Sequence, residues 1–239
     1  MRIAIFSDVH GNLEALQAVM RHCDTCQVDR VVYLGDLVGY GPDPSRCIEA
    51  IRDVAELVLI GNHDQAVVSP SESRNFNPVA KAAIRWTSDI LQEVHVEYLR
   101  GLPLVVDEDD AVYVHASPKG PETWPYLYSL EEGRRDLAYT DARVCFVGHS
   151  HHAFVCNDER EEILGEGKII ISGSARYLTN VGSVGQPRDG EPRAAFALWD
   201  QALGEIKIHR VAYAVESTQQ KIRKAQLPEY LAERLATGR

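Results

Sequence analysis

Short apolar runs, each closing on a small cluster of polar residues, recur along residues 2–152. Ile3, Ala4, Ile5 and Phe6 lead into Ser7-Asp8-Val9-His10-Gly11-Asn12, and residues 31–34 lead into Gly35-Asp36. Residues 57–60 lead into Gly61-Asn62-His63-Asp64, residues 111–114 into His115, and residues 144–147 into Gly148-His149-Ser150-His151-His152. Runs of this length, apolar on both faces and rich in Val, Ile and aromatics, read as buried strands, which puts each polar cluster at a strand's carboxyl end. Between them Leu13, Leu16, Met20 and Cys23 repeat at helical spacing behind Asn12 as N-cap, and Cys47, Ile48, Ile51 and Val54 do so behind Pro44 and Ser45. Residues 78–91 also read as a helix. This βαβα order predicts a largely parallel sheet covered by helices, with ligands held beyond the carboxyl edge of the strands.

Past His152 the pattern changes. Residues 153–156, 163–164, 168–171, 194–199 and 206–211 are closely spaced strand candidates separated by turn residues, predicting a second, more antiparallel sheet. Val215, Ile222, Leu227, Tyr230, Leu231 and Leu235 predict a terminal helical segment over about residues 214–239, with Pro228 in a first turn. With no repeat or linker-like stretch, one two-sheet domain over residues 1–239 is the economical reading.

Composition narrows the possibilities. A chain of 239 residues buries about 70–75% of its extended surface and needs no staples. Its longest unbroken hydrophobic run is the six residues 194–199, against roughly 20 for a membrane helix. The apolar start is too short for a signal peptide core, so a cytoplasmic protein with no membrane partner is expected. Five scattered cysteines do not form a secreted disulfide framework. Cys23 and Cys26 form a C-x-x-C without a second pair to complete a zinc site, and Cys23 continues an apolar helical face, which favours a structural role. The net charge of −10 disfavours duplex nucleic acid, which is bound through broad basic surfaces.

Five of the nine histidines (His10, His63, His115, His149 and His151) follow strand runs, in company with Asp8, Asp36 and Asn62. Gathering so many ligand-type groups at one sheet edge is costly unless a cation sits among them. In Asp8-x-His10 and His149-x-His151 the two-residue spacing would place both side chains on one side of an extended backbone. Adjacent Asn62 and His63 would diverge, the amide toward metal and the imidazole toward substrate. Carboxylate, amide and imidazole donors without thiolate suit Mn²⁺, Fe²⁺ or Zn²⁺.

At these residues the chain resembles the calcineurin-like metallophosphoesterases: Asp8-x-His10, Gly35-Asp36, Gly61-Asn62-His63-Asp64, Val114-His115 and Gly148-His149-Ser150-His151 appear in the family's order. The resemblance spans about residues 1–213 and points to the small bacterial and archaeal phosphodiesterase-like branch. It implies an α/β fold, a four-layer αββα sandwich of two packed mixed sheets, holding two divalent ions. Mn²⁺ is foremost, with Fe, Zn²⁺ or Ni²⁺ as alternatives. By that similarity Asp8, His10, Asp36 and His151 hold the first ion and Asp36, Asn62, His115 and His149 the second, with Asp36 bridging. His63 would be catalytic, helped by Asp64, which would favour its protonated form. Two ions can share a hydroxide for in-line attack on phosphorus while gripping phosphate oxygens.

Protein serine/threonine phosphatases of the superfamily continue their second motif as Gly-Asp-x-x-Asp-Arg-Gly. Here Gly35-Asp36-Leu37-Val38-Gly39-Tyr40-Gly41-Pro42 lacks that arginine, which lowers this reading. A phosphodiesterase acting on a small ester is therefore expected, with a phosphomonoesterase or a dinucleoside polyphosphate hydrolase as alternatives and a nucleotide as one candidate substrate. A non-catalytic scaffold, like the retromer subunit of similar fold, is disfavoured by the intact His63 and ligand set. Two loops are candidates for substrate contact: Tyr40 by stacking on a base or by packing, and residues 180–188, whose glycines would offer N–H groups to an anion and whose Arg188 would clamp a phosphate, or which would form a plain turn. Arg176 and Lys119 are weaker candidates, and His152 should point away from its neighbour His151.

Overall fold

A computed structural model describes residues 1–239 except Asp109 and Arg160. Two six-stranded sheets lie face to face between layers of helix. The first sheet contains β1 (Arg2–Phe6), β2 (Arg30–Tyr33) and β3 (Leu57–Val58), which are mutually parallel. The second sheet contains β4 (Val105–Glu108), β5 (Ala111–Val114), β6 (Val144–Val147), β7 (Ala153–Asn157) and β8 (Glu162–Leu164). The chain then returns to the first sheet through β9 (Gly167–Ile170), adds β10 (Tyr177–Val181) to the second, and closes the first with β11 (Ala194–Asp200) and β12 (Glu205–Val211). The spatial orders are β3-β2-β1-β11-β12-β9 and β4-β5-β6-β10-β7-β8.

This arrangement corrects one expectation. The sheets do not divide at His152: β5 and β6 belong to the second sheet, and β9, β11 and β12 extend the first. The cause is pairing between distant segments. β1 is apolar on both faces and takes β11 as an antiparallel neighbour, Ile3 opposite Trp199 and Ile5 opposite Ala197, on the side away from β2. Periodicity reports burial of a strand, not its partner.

Alternation along β1 assigns the layers. Ile3 and Ile5 face the second sheet in a core with Tyr113, Phe146, Tyr177 and Trp199, whereas Ala4 and Phe6 face the helices. Those helices are α1 (Leu13–Cys26), α2 (Pro44–Val54), α3 (Asn62–Val68), α4 (Pro78–Ile90) and α5 (Glu93–Arg100). On the far side α6 (Leu130–Asp136) covers the outer face of the second sheet. The terminal segment forms α7 (Val215–Lys224) and α8 (Glu229–Glu233), packed through Ile222, Leu227 and Leu231 against α4 and Tyr40. Caps follow the sequence: Asn12 Oδ1 accepts the Ala15 N–H at 3.1 Å and Asn77 Oδ1 the Ala80 N–H at 2.9 Å. The short elements α3, α5, α6, β4 and β10 carry no long apolar period and were not visible as elements in the pattern. No helix among the described residues is long and apolar enough to cross a membrane.

Candidate metal centre

Each sequence-selected ligand stands just past a parallel strand: Asp8 and His10 after β1, Asp36 after β2, Asn62 in the first turn of α3 after β3, His115 after β5, and His149 and His151 after β6. The site therefore straddles the carboxyl edges of both sheets. The extended backbone expected for Asp8-x-His10 and His149-x-His151 is not found. Asp8 (φ 55°), His10 (47°), Asp36 (61°), His149 (63°) and His151 (60°) are all left-handed. Such conformers cost on the order of 1–3 kcal/mol each and persist only where surroundings dictate them. Here the loops are laced together, Asp8 N–H to Gly35 C=O and His10 N–H to Asp36 C=O, each at 3.0 Å. The side chains converge because the backbone curls, not because a strand pleats.

The carboxylates fit because two neighbours lack side chains. A Cβ at Gly61 would lie 2.1 Å from Asp36 Oδ1, and one at Gly148 would lie 2.5 Å from Asp8 Oδ2. Asp8 and Asp36 are fully buried. Asp36 Oδ2 stands 3.5 Å from His10 Nε2 and 3.4 Å from His115 Nε2, and Asp8 Oδ1 stands 3.0 Å from His151 Nε2. Asp8, His10 and His151 form one convergent trio and Asp36, His115 and His149 another.

Ring orientation is set from behind. The Nδ1–H of His10 donates to Val38 C=O at 2.9 Å, that of His115 to Leu34 C=O at 3.1 Å, and that of His151 to Gln186 C=O at 2.6 Å. This turns each Nε2 inward, the orientation a metal-ligating histidine adopts. His149 is reversed: its Nε2–H meets Trp124 C=O at 3.1 Å, and Nδ1 is buried with no hydrogen-bond partner. Asn62 Oδ1 and His115 Nε2 are buried without one too. Buried, inward-facing nitrogen and oxygen atoms without a hydrogen-bond partner are what a cation would satisfy, and the all-nitrogen-and-oxygen set fits a divalent ion.

Charge supports this. Burial works against the carboxylate of Asp8, but the imidazoles of His151 and His115 hold it well below the usual range; Asp36 behaves alike beside His115 and His63. Burial also opposes a charged His115, yet Asp36 and Asp8 raise it to about 9, so in the metal-free protein it takes the proton that a cation would displace. Burial drives His149 and His151 down to about 3.

His63 is buried, its ring 4.5 Å from that of Tyr40, 4.8 Å from that of His10 and 4.8 Å from that of Phe76. Burial pushes it well below 6.5, which favours the neutral imidazole, and its Nδ1 is buried with no hydrogen-bond partner. Asp64 does not serve the ring as expected. Its carboxylate accepts the backbone N–H groups of Asp36 (2.8 Å), Gly61 (3.0 Å) and Val38 (3.2 Å), and burial raises it to about 7. The fixed donors of two loops capture it first, which makes it a brace under Asp36.

Residues 180–188 are a second brace, not an open anion cradle. Gly182 N–H donates to Asn180 Oδ1, Gly185 N–H and Ser183 Oγ–H to Asp8 C=O, and Asn180 Nδ2 to Gly148 C=O. The glycine N–H groups are thus spent within the protein. Arg188 lies over the Tyr40 ring at 5.7 Å and donates to Gln186 Oε1 at 3.0 Å, while its Nε is buried with no partner. Tyr40 is packed, wedged between His10 and His63. His152 points away, Nδ1–H to Ser150 C=O at 2.7 Å. Arg176 is tied to Asp158 and two carbonyls, and Lys119 sits over Tyr139.

A cleft of about 520 Å³ opens on His63, Asn62 and His149, walled by Phe76, Trp124 and Tyr126. The Tyr126 ring stacks on His149 at 4.0 Å. These aromatics were passed over in the sequence. The signal available was the density of rings in Trp124-Pro125-Tyr126-Leu127-Tyr128, a segment with no period to place it.

Residues 1–202 match the family model described as "Calcineurin-like phosphoesterase superfamily domain". An uncharacterized protein of Methanocaldococcus jannaschii is 40% identical over 241 residues, covering 99% of this chain and 98% of its own. The symmetrical bis(5'-nucleosyl)-tetraphosphatase of Chromohalobacter salexigens is 25% identical over 240 residues, covering 84% and 83%. The crystal structure of a metallophosphoesterase from Sphaerobacter thermophilus superposes with a TM-score of 0.89 at 40% identity, covering 100% of this chain and 99% of that one. With the buried donor set in place and its order of motifs matched along most of the chain, this protein belongs to the calcineurin-like phosphoesterase superfamily, whose members are metal-dependent phosphoester hydrolases.

Proposed function

We propose that this chain is a dinuclear phosphodiesterase acting on small phosphate esters. The observation that carries the reading is the position of Asp36 Oδ2, nearly equidistant from His10 Nε2 and His115 Nε2, the inward nitrogens of the two trios. One carboxylate oxygen shared between two donor sets is what a pair of ions requires. Two divalent ions, Mn²⁺ foremost, would supply a hydroxide at neutral pH and charge neutralisation for the phosphoryl oxygens. His10, Asp8 and His151 would hold one and His115, His149 and Asn62 the other.

The chain's own part is positioning. His63 and Asn62 line the cleft, where a neutral imidazole can donate a hydrogen bond to a phosphoryl or leaving-group oxygen. Arg188, whose Nε is buried with no hydrogen-bond partner, would pair with a phosphate oxygen that reaches it. Aromatic walls at Trp124 and Tyr126 suit an aryl or nucleoside leaving group. They also favour the second reading, a dinucleoside polyphosphate hydrolase, which the 25% identity to the tetraphosphatase supports.

Purified protein loaded with Mn²⁺ should hydrolyse bis(p-nitrophenyl) phosphate faster than p-nitrophenyl phosphate. Asp36→Asn and His149→Ala should each lower kcat/KM by on the order of 10³-fold, the loss of several kcal/mol of charge stabilisation. Full activity in both variants overturns the reading. Preference for diadenosine tetraphosphate over the diester would select the second.

A further inference from the structure

Away from this centre, α1 and β12 bring together a second donor set on the helix-covered face of the first sheet. His22 and Cys26 lie four residues apart near the end of α1, on one face of the helix. On β12, Ile206 and Ile208 point into the core between the sheets, so His209 projects from the opposite face, toward α1. One ligand atom each of His22, Cys26 and His209 lies within 4.8 Å of the others. His22 Nε2 is 3.1 Å from His209 Nδ1.

We infer that His22, Cys26 and His209 form a peripheral zinc-type site that clamps α1 to β12, with water in the fourth position. A tetrahedral ion bound to nitrogen at about 2.0–2.1 Å holds two such nitrogens about 3.3 Å apart. The observed 3.1 Å is close to that edge. The rings are held by packing: His209 stacks on Phe196, its cross-strand partner, at 5.0 Å and 14°, and His22 meets the same ring edge-on at 5.8 Å. Burial keeps His209 neutral, lowering it to about 4, so its lone pair is available at neutral pH. The local field is mixed, Lys207 opposing a cation and Glu166 and Glu205 favouring one. A hydrogen bond between the two imidazoles accounts for the 3.1 Å contact, and the helix spacing of His22 and Cys26 brings the thiol within 4.8 Å of the ligand atoms of both. Two imidazoles and a thiolate select zinc over the harder ions suited to the catalytic donors.

The sulfur makes the site separable from the catalytic centre, whose donors are nitrogen and oxygen alone, so this inference stands or falls independently of the proposed reaction. Full-length protein stripped of metal and titrated with Co²⁺ should develop a near-ultraviolet thiolate-to-cobalt charge-transfer band whose final intensity corresponds to one thiolate-bound cobalt per chain, whatever the catalytic centre takes up. The band should vanish in Cys26→Ser, fall in His209→Gln, and persist in Asp36→Asn. Circular dichroism of Cys26→Ser, whose side chain is only half-buried, checks that the fold is retained. Absence of the band in the wild-type protein, or its survival in Cys26→Ser, overturns the site and leaves a histidine–histidine hydrogen bond.

Discussion

A few atoms at single positions decide what this centre can hold. Gly148 is one: adding a Cβ 2.1 Å from Ser7 Oγ and 2.5 Å from Asp8 Oδ2 must push the Asp8 carboxylate out of line. Gly148→Ala should weaken Mn²⁺ binding about 10–100-fold, the usual effect of disturbing a ligand's support, as read by isothermal titration calorimetry. Unchanged affinity would contradict the steric argument. Asp64 is another. Its two oxygens serve three buried backbone N–H groups, and orphaning such donors costs about 1–3 kcal/mol each. Asp64→Ala should therefore lower Tm by roughly 6–12 °C or more. A variant with unchanged Tm and lost turnover would return Asp64 to a role in the chemistry of His63. The residue types were legible in the sequence, because a carboxylate or imidazole at a strand end announces itself by identity. Their orientations were not, since the acceptor behind each ring is a distant carbonyl: Val38 for His10, Leu34 for His115, Gln186 for His151.

Among the elements, the strands with strong apolar runs (β1, β5, β6, β11 and β12) and the helices α1, α2 and α4 stood out in the pattern, because burial on a fixed face leaves a period. β10 did not. Its residues Thr179 and Asn180 are polar and buried, and what makes Asn180 tolerable is partnership: its Nδ2 donates to Gly148 C=O at 3.0 Å and to Ser150 Oγ at 2.9 Å. Asn180→Ala removes the donor to Gly148 C=O and Ser150 Oγ, leaves the Gly182 N–H without Asn180 Oδ1, and loosens the loop that carries His149 and His151. Loss of metal affinity by about 10–100-fold, with a lower Tm, is expected. Equilibrium dialysis and thermal melts read both, and a variant that keeps wild-type affinity would show that the loop is held by its other contacts.

For the whole molecule, the metal-free centre sets a pH dependence. His115, raised from 6.5 to about 9 by Asp36 and Asp8 against the cost of burial, adds stability that is fully present below 6.5 and is lost as pH rises through 9. A cation competes with that same proton, so its affinity should rise over the same interval. The gap in Tm between Mn²⁺-loaded and chelator-stripped protein should thus widen from pH 7 to pH 9; a narrowing gap would refute the assignment of that proton. The sequence by itself determined which ligand-type residues stand at the strand ends and where the helix-forming stretches lie, because residue chemistry and periodic burial are local properties. Only the tertiary structure decided that β5 and β6 lie in the second sheet, that five ligand-bearing residues adopt left-handed backbone, that Asp64 and residues 180–188 are braces, and that Asp36 stands between two trios. Each of these depends on groups brought together from segments far apart along the chain, and no period in the sequence records which distant partner a strand, a carbonyl or a carboxylate will meet.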